Sequence, residues 1–301
     1  MASVWELGGL TWGKLSRRVW TELYAGDLLT RAAALSYYFL LALFPLLLFL
    51  LAMLGQLAES GTELRQSMLR YLGTLMPRTA SALIYTTVEE ITRNADGSKL
   101  TFGLLAALWV ASYGMGAISE TLNSAYGVRE TRAWWKARLI SIALTVALAM
   151  LIITALALVL YGGTIGEGLS ARLGLGEAFE WTWKIAQWPI VLGFVLLAFA
   201  LIYYFAPDVE EQKWYWITPG SLVGVLMWLL VSFGFRLYLY YFDSYSMTYG
   251  SLGAVIVLML WFYLTGAAIL IGGQVNAEIE QAAARRGTPD AKLPGEKSPS
   301  A

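Results

Sequence analysis

The chain has no cysteine and no histidine among its 301 residues. Without cysteine, no disulfide, thiolate nucleophile or thiolate metal site can form. Without histidine, the commonest general base and the commonest metal ligand are missing, and Ser–His and Cys–His nucleophilic sites are excluded. A zinc site would have to be built from carboxylates alone. Charge of one sign is lacking too: 21 Lys and Arg face 21 Asp and Glu, so the total points to no partner. No P-loop, no GxGxxG behind a strand and no HExxH occurs. No catalytic residue, no metal and no cofactor is expected, and any acid–base work falls to Asp, Glu, Lys or Tyr.

What the chain has is apolar length. Hydrophobic residues make up 58% of it and charged residues 14%, with a mean hydropathy of +0.59. Six apolar runs cover about 32–54, 100–119, 139–161, 185–206, 217–240 and 250–273. Each is about the 20 residues a helix needs to cross a hydrocarbon core of roughly 30 Å. The fold class that follows is all-α: a polytopic membrane protein with six transmembrane helices in a single membrane domain, residues 1–285. The first run is too long for a signal-peptide core and no small-residue cleavage site follows it, so it is expected to remain as the first span.

Between and beyond the spans the pattern is informative. Trp12, Leu15, Val19, Leu23 and Tyr24 recur at helical spacing, with Lys14, Arg17 and Arg18 on other faces. This predicts an amphipathic N-terminal helix, lying on an anionic membrane surface or packed on its own protein. Asp27 can cap the first span. Residues 60–95 read as an extramembrane helical hairpin, with a capping box at Ser60 and Glu63 and a helix opening at Pro77. Pro45 should kink span 1. Thr218 and Pro219 look like the cap and first turn of span 5. Small residues four apart, Ser112/Gly116 and Ala268/Gly272, let helix backbones approach. Residues 286–301 are polar enough to be expected disordered.

Orientation follows from Lys and Arg in the connecting segments. With the N-terminus in the cytoplasm, 13 fall on the inner side and 7 on the outer, which favours both termini cytoplasmic. Ionisable residues at membrane depth are costly and therefore point to function. Glu120 ends span 2, and at the same inner level come Arg31, Asn123, Arg129, Arg138, Gln274 and Asn276. These polar groups could line an inner mouth for an anionic substrate, or be helix ends tied by capping and salt bridges. Arg236 and Asp243 form a candidate ionisable pair at the outer end, read as structural. Asp208, Glu210 and Glu211 form the one tight acidic cluster in the sequence, which capping and solvation explain better than catalysis.

Several segments, in this order, resemble the YihY/BrkB family of bacterial inner-membrane proteins. They are Arg31-Ala-Ala-Ala-Leu-Ser-Tyr-Tyr38 through Leu43-Phe-Pro45, then Leu122-Asn-Ser-Ala-Tyr-Gly-Val-Arg-Glu130 and Trp216-Ile-Thr-Pro-Gly220. Tyr249-Gly-Ser-Leu-Gly-Ala254 follows, and last the run from Leu260-Trp-Phe-Tyr263 to Gly273-Gln-Val-Asn276. The resemblance covers about Val19 to Glu280 and implies a six-span plasma-membrane protein. Members of that family have carried ribonuclease and virulence-factor labels, and a role in moving lipid has been suggested. It supplies no agreed catalytic residues.

The function expected is that of an integral protein of the bacterial inner membrane, not an enzyme. It would be a transporter or flippase-like permease for an amphiphilic or anionic, lipid-like substrate. Its partners would be membrane lipids, with no nucleic acid; oligomeric partners stay open. The rivals are a non-transporting envelope scaffold and a membrane-bound nuclease. A polar cavity between spans favours transport, a bundle sealed at both ends the scaffold, and convergent carboxylates the nuclease.

Overall fold

The computed structural model describes residues 4–25, 27–57, 97–210, 217–241, 245–288 and 291–297. The expected hairpin over 60–95 and Asp243, the expected partner of Arg236, lie outside them. After a short 3₁₀ turn (Val4–Gly9) the helices are α1 (Trp12–Ala25), α2 (Leu28–Leu57), α3 (Gly97–Ala125), α4 (Trp134–Leu173), α5 (Gly176–Phe205), α6 (Pro219–Tyr241) and α7 (Tyr245–Ala284). No strand occurs among the described residues. The protein is an all-α membrane protein.

Each of the six apolar runs coincides with one of α2 to α7, except that 185–206 ends one residue past α5 and 217–240 begins two residues before α6. Among the described residues, four stretches are long and apolar enough to cross a membrane: Trp134–Arg172, Trp181–Phe205, Pro219–Tyr238 and Val255–Ala284. Leu28–Leu43 is a shorter apolar stretch of α2. Leu105, Ile185, Leu230 and Phe233 stand exposed on the outside of the bundle. In water such a surface would be unfavourable by about 25 cal/mol per Å²; against lipid tails it is neutral.

The helices alternate in direction, α4 packing on α5, α6 on α7, and α2 on both α3 and α7. The main core gathers one or more residues from each of α2 to α7, among them Leu35, Leu122, Leu144, Tyr203, Val225 and Leu270. It lies toward the end of the bundle where α2, α4 and α6 begin and α3, α5 and α7 finish. α1 docks on the same end through Leu15 and Val19, which pack on Val275 and Ile279 of α7. Its other faces leave Trp12, Trp20 and Tyr24 exposed. Of the two readings of α1, the packing on its own protein is observed along one stripe, while another stripe stays open.

One close helix contact, between α6 and α7, is made by missing side chains. A Cβ on Gly272 of α7 would sit 2.6 Å from the carbonyl oxygen of Gly220 on α6, and would also strike the Tyr203 hydroxyl. Tyr203 of α5 reaches into this gap and donates to the carbonyl of Ile269 at 2.7 Å. One phenol thus pins three helices. Ser112, the other small-residue position singled out, is fully buried in α3. Pro45 lies within α2 without ending it.

Residues 291–297 differ from the expectation of a disordered tail. Lys292 is only 4% exposed, and its ammonium pairs with Glu280 at 3.2 Å. The amide of Gly295 donates to the carbonyl of Tyr126 at 3.2 Å, and that of Glu210 to the carbonyl of Lys297 at 2.8 Å. Composition counts apolar burial, and this strap is held by charge and backbone hydrogen bonds instead.

Candidate functional site

Where the ends of six helices meet, their orphan backbone groups need partners. Asn276 of α7 accepts from the amide of Gly220 at 2.9 Å, serving the first turn of α6. Beside it Thr218 and Ser221 exchange reciprocal bonds, amide to hydroxyl, at 2.9 and 3.0 Å. This bears out the cap read at Thr218. At the other polarity, Arg132 donates to the carbonyls of Phe205 and Ala206 at 3.4 and 2.9 Å, closing the C-terminus of α5 where the helix dipole favours a cation.

Arg132 is the centre of a wider network. Its Nε and Nη2 grip the two oxygens of Glu130 at 2.7 and 2.6 Å, the bidentate geometry that makes arginine–carboxylate pairs strong. Asn123, 3% exposed, donates to Glu130 at 3.0 Å and accepts from the amide of Asp208 at 2.6 Å. Asp208 in turn accepts from the amide and hydroxyl of Thr131 at 2.8 and 3.0 Å, and Lys297 of the strap donates to it. The segment between α3 and α4, the segment after α5 and the strap are thereby joined.

Burial alone would raise the Glu130 carboxyl above its usual range. The hydrogen bonds and charge of Arg132, with the Asn123 amide, outweigh it and hold the group below that range. Asp208 is likewise lowered: desolvation opposes, and Lys297 and Thr131 prevail. Asp208 is accordingly a paired anchor; Glu211 of the same cluster lies outside the described residues.

Next to this network opens a cavity of about 610 Å³, whose wall includes Arg31, Ser119, Glu120, Asn123, Arg129, Glu130, Arg132, Trp134 and Arg138. Of the seven residues predicted at one depth, five line it: Arg31, Glu120, Asn123, Arg129 and Arg138. Gln274 and Asn276 do not. Gln274 is buried on α7, and Asn276 is the cap of α6. Helical spacing of 100° per residue turns the end of α7 toward α6, so equal depth did not bring them to the same wall. Sequence reasoning also missed Glu130, Arg132, Asp208 and Lys297 as a unit. Glu130, Arg132 and Asp208 follow spans 2 and 4, and that shared level was the available signal; nothing comparable marked Lys297.

Within the cavity wall Arg138 is held flat. Its guanidinium lies 4.3 Å from the ring centre of Trp109 and 3.8 Å from that of Tyr113, and Nη2 donates to the Trp109 carbonyl. The Nε atoms of Arg31 and Arg138 are buried without an acceptor. Among the described residues, Arg31, Arg129 and Glu120 make no ion pair. Arg236, far from this end, is exposed on α6.

Arg31, the segment Leu122–Glu130 and the segment Gly273–Asn276 thus lie at one end of the bundle, and the whole-chain comparison agrees with the resemblance they carry. Residues 19–294 match the family described as Virulence factor BrkB. The chain belongs to the BrkB family. Over 261 residues it is 37% identical to the ribonuclease-like protein YfkH of Bacillus subtilis (strain 168), covering 87% of this chain and 92% of that one. A UPF0761 membrane protein of Aeromonas salmonicida (strain A449) is 26% identical, covering 88% of each chain. The UPF0761 membrane protein azo3165 of Azoarcus sp. (strain BH72) is also 26% identical, and the match spans 59% of its length. No solved structure matches the chain.

Proposed function

We propose that this BrkB-family membrane protein is a permease that takes an anionic amphiphile through the arginine-lined cavity. One observation carries the reading: a cavity of about 610 Å³ with Arg31, Glu120, Arg129 and Arg138 in its wall opens between α2, α3 and α4 at one end of the bundle. A sealed scaffold has no use for Arg31 and Arg138 with Nε–H groups buried without an acceptor, because a buried polar group left without a partner is costly. The Lys and Arg asymmetry supports a cytoplasmic placement for this end, and with it both termini, in the bacterial inner membrane. The ribonuclease-like name of YfkH supports a nuclease reading less well. The chain has no histidine, and among the described residues no group of three or more acidic side chains converges.

The test is lipid movement. Purified protein is reconstituted in vesicles bearing a fluorescent phosphatidic acid in both leaflets, and a membrane-impermeant quencher is added outside. A permease lets the signal fall well below the half that protein-free vesicles retain. Retention of half the signal, with correctly folded protein, favours the scaffold. Orientation is tested separately: Ser98→Cys should label from outside and Ser298→Cys only after lysis.

A further inference from the structure

Resting on the permease reading, we propose that Arg31 and Arg138 hold the phosphate of a lipid phosphomonoester in this cavity. The charge balance of the wall comes first. Arg132 is fully engaged with Glu130 and the end of α5. That leaves Arg31, Arg129 and Arg138 against Glu120 alone, an excess of two positive charges. A phosphomonoester carries about −1.5 to −2 at neutral pH; a phosphodiester carries one negative charge, and a choline headgroup is neutral overall.

Hydrogen-bond demand points the same way. Both arginines have a buried Nε–H with no acceptor, and native structures satisfy nearly all such groups. Arg138 is also preorganised, fixed against Trp109 and Tyr113 and tied to the Trp109 carbonyl. A planar fork already in place matches phosphate oxygens at little ordering cost.

Size and surroundings make the ligand an amphiphile. A volume of about 610 Å³ exceeds what a bare phosphate fills and is typical of ligand cavities. Trp109, Tyr113 and Trp134 are 40%, 54% and 73% exposed on this flank of α3 and α4. Rings of this kind sit at headgroup level in a bilayer, where acyl chains can continue into the lipid while the phosphate stays in the cavity.

The experiment measures binding at equilibrium, with no movement across a membrane. Full-length protein in neutral detergent is titrated with dioctanoyl phosphatidic acid by native mass spectrometry. Dioctanoyl phosphatidylglycerol, dioctanoyl phosphatidylcholine and inorganic phosphate serve as comparisons. Phosphatidic acid is expected to bind tightest. Arg31→Gln and Arg138→Gln should each weaken it about tenfold, Glu120→Gln should tighten it severalfold, and Arg236→Gln should change nothing. If Arg138→Gln fails to fold for want of its Trp109 contact, Arg31→Gln and Glu120→Gln decide. Equal affinity of wild type and these variants overturns the assignment, as does phosphatidylglycerol or phosphatidylcholine binding as tightly as phosphatidic acid. Inorganic phosphate binding as tightly as the lipid makes this a free-phosphate site and overturns the lipid. Binding without movement sinks the permease and leaves this site standing; movement with arginine-independent binding does the reverse.

Discussion

The two ends of α5 are held by different means. At its C-terminus Arg132 satisfies two backbone carbonyls while gripping Glu130, and Asp208 a few residues on draws in Asn123, Thr131 and Lys297. At its N-terminus the chain turns from α4 through Gly174 and Leu175, with Gly174 at φ 66°, a left-handed conformation that favours glycine. There Ser170 donates to the Gly176 carbonyl at 3.1 Å, and the Trp183 indole to that of Gly162 at 2.6 Å. No ion pair is recorded among the described residues of that turn. One end is cross-linked by charge between segments distant in sequence; the other is closed by local turn geometry. Charge that holds distant segments together is also charge that can meet a ligand, and the cavity lies at that end.

Substitutions should expose this difference, and the largest effect belongs to Arg132. Arg132→Ala leaves Glu130 and Asp208 short of their partner and uncaps α5. Thermal unfolding in detergent should register a loss of about 3 kcal/mol, with Arg132→Lys intermediate because it keeps the charge without the fork. A loss as small as that of an exposed ion pair would break the comparison. Next comes Gly272→Ala, whose methyl meets the Gly220 carbonyl and Tyr203; overpacking of this kind costs about 1–3 kcal/mol. Trp183→Phe, at the opposite end, should cost about 1 kcal/mol, the value of one hydrogen bond, and leave ligand binding at the cavity unchanged.

The pH response sharpens the same contrast through its sign. Glu130 and Asp208 have folded pKa values below the unfolded ones. Their contribution is present above the ordinary carboxylate range near about 4 and is lost as pH falls through the lower folded values. Stability of the wild type should therefore fall on the acid side, read as Tm against pH, and Glu130→Gln should flatten that limb. An unchanged profile would remove Glu130 from the balance.

How much of this was readable differs by the force involved. The six apolar runs match helices α2 to α7 to within two residues because lipid-length hydrophobicity is a local, additive property. The grouping of Arg31, Glu120, Asn123, Arg129 and Arg138 was legible because span ends fix depth. Depth says nothing of azimuth, so Asn276 went with them in the sequence and turned away in the fold. The strap was illegible because Lys292 and Lys297 gain their places from Glu280 and Asp208, partners 12 and 89 residues away, and a polar stretch with distant partners reads like one with none.

That strap sets an order of events. Residues 291–297 are translated after all six apolar runs, so Asp208 waits without Lys297 while α6 and α7 enter the membrane. The Lys297 contact is added last, onto an anchor that Asn123, Thr131 and Arg132 already hold. A nascent chain stalled before Lys297 would keep that anchor and lack only its final cation. Protease nicking near Asp208 would then report how much of the protection belongs to the strap.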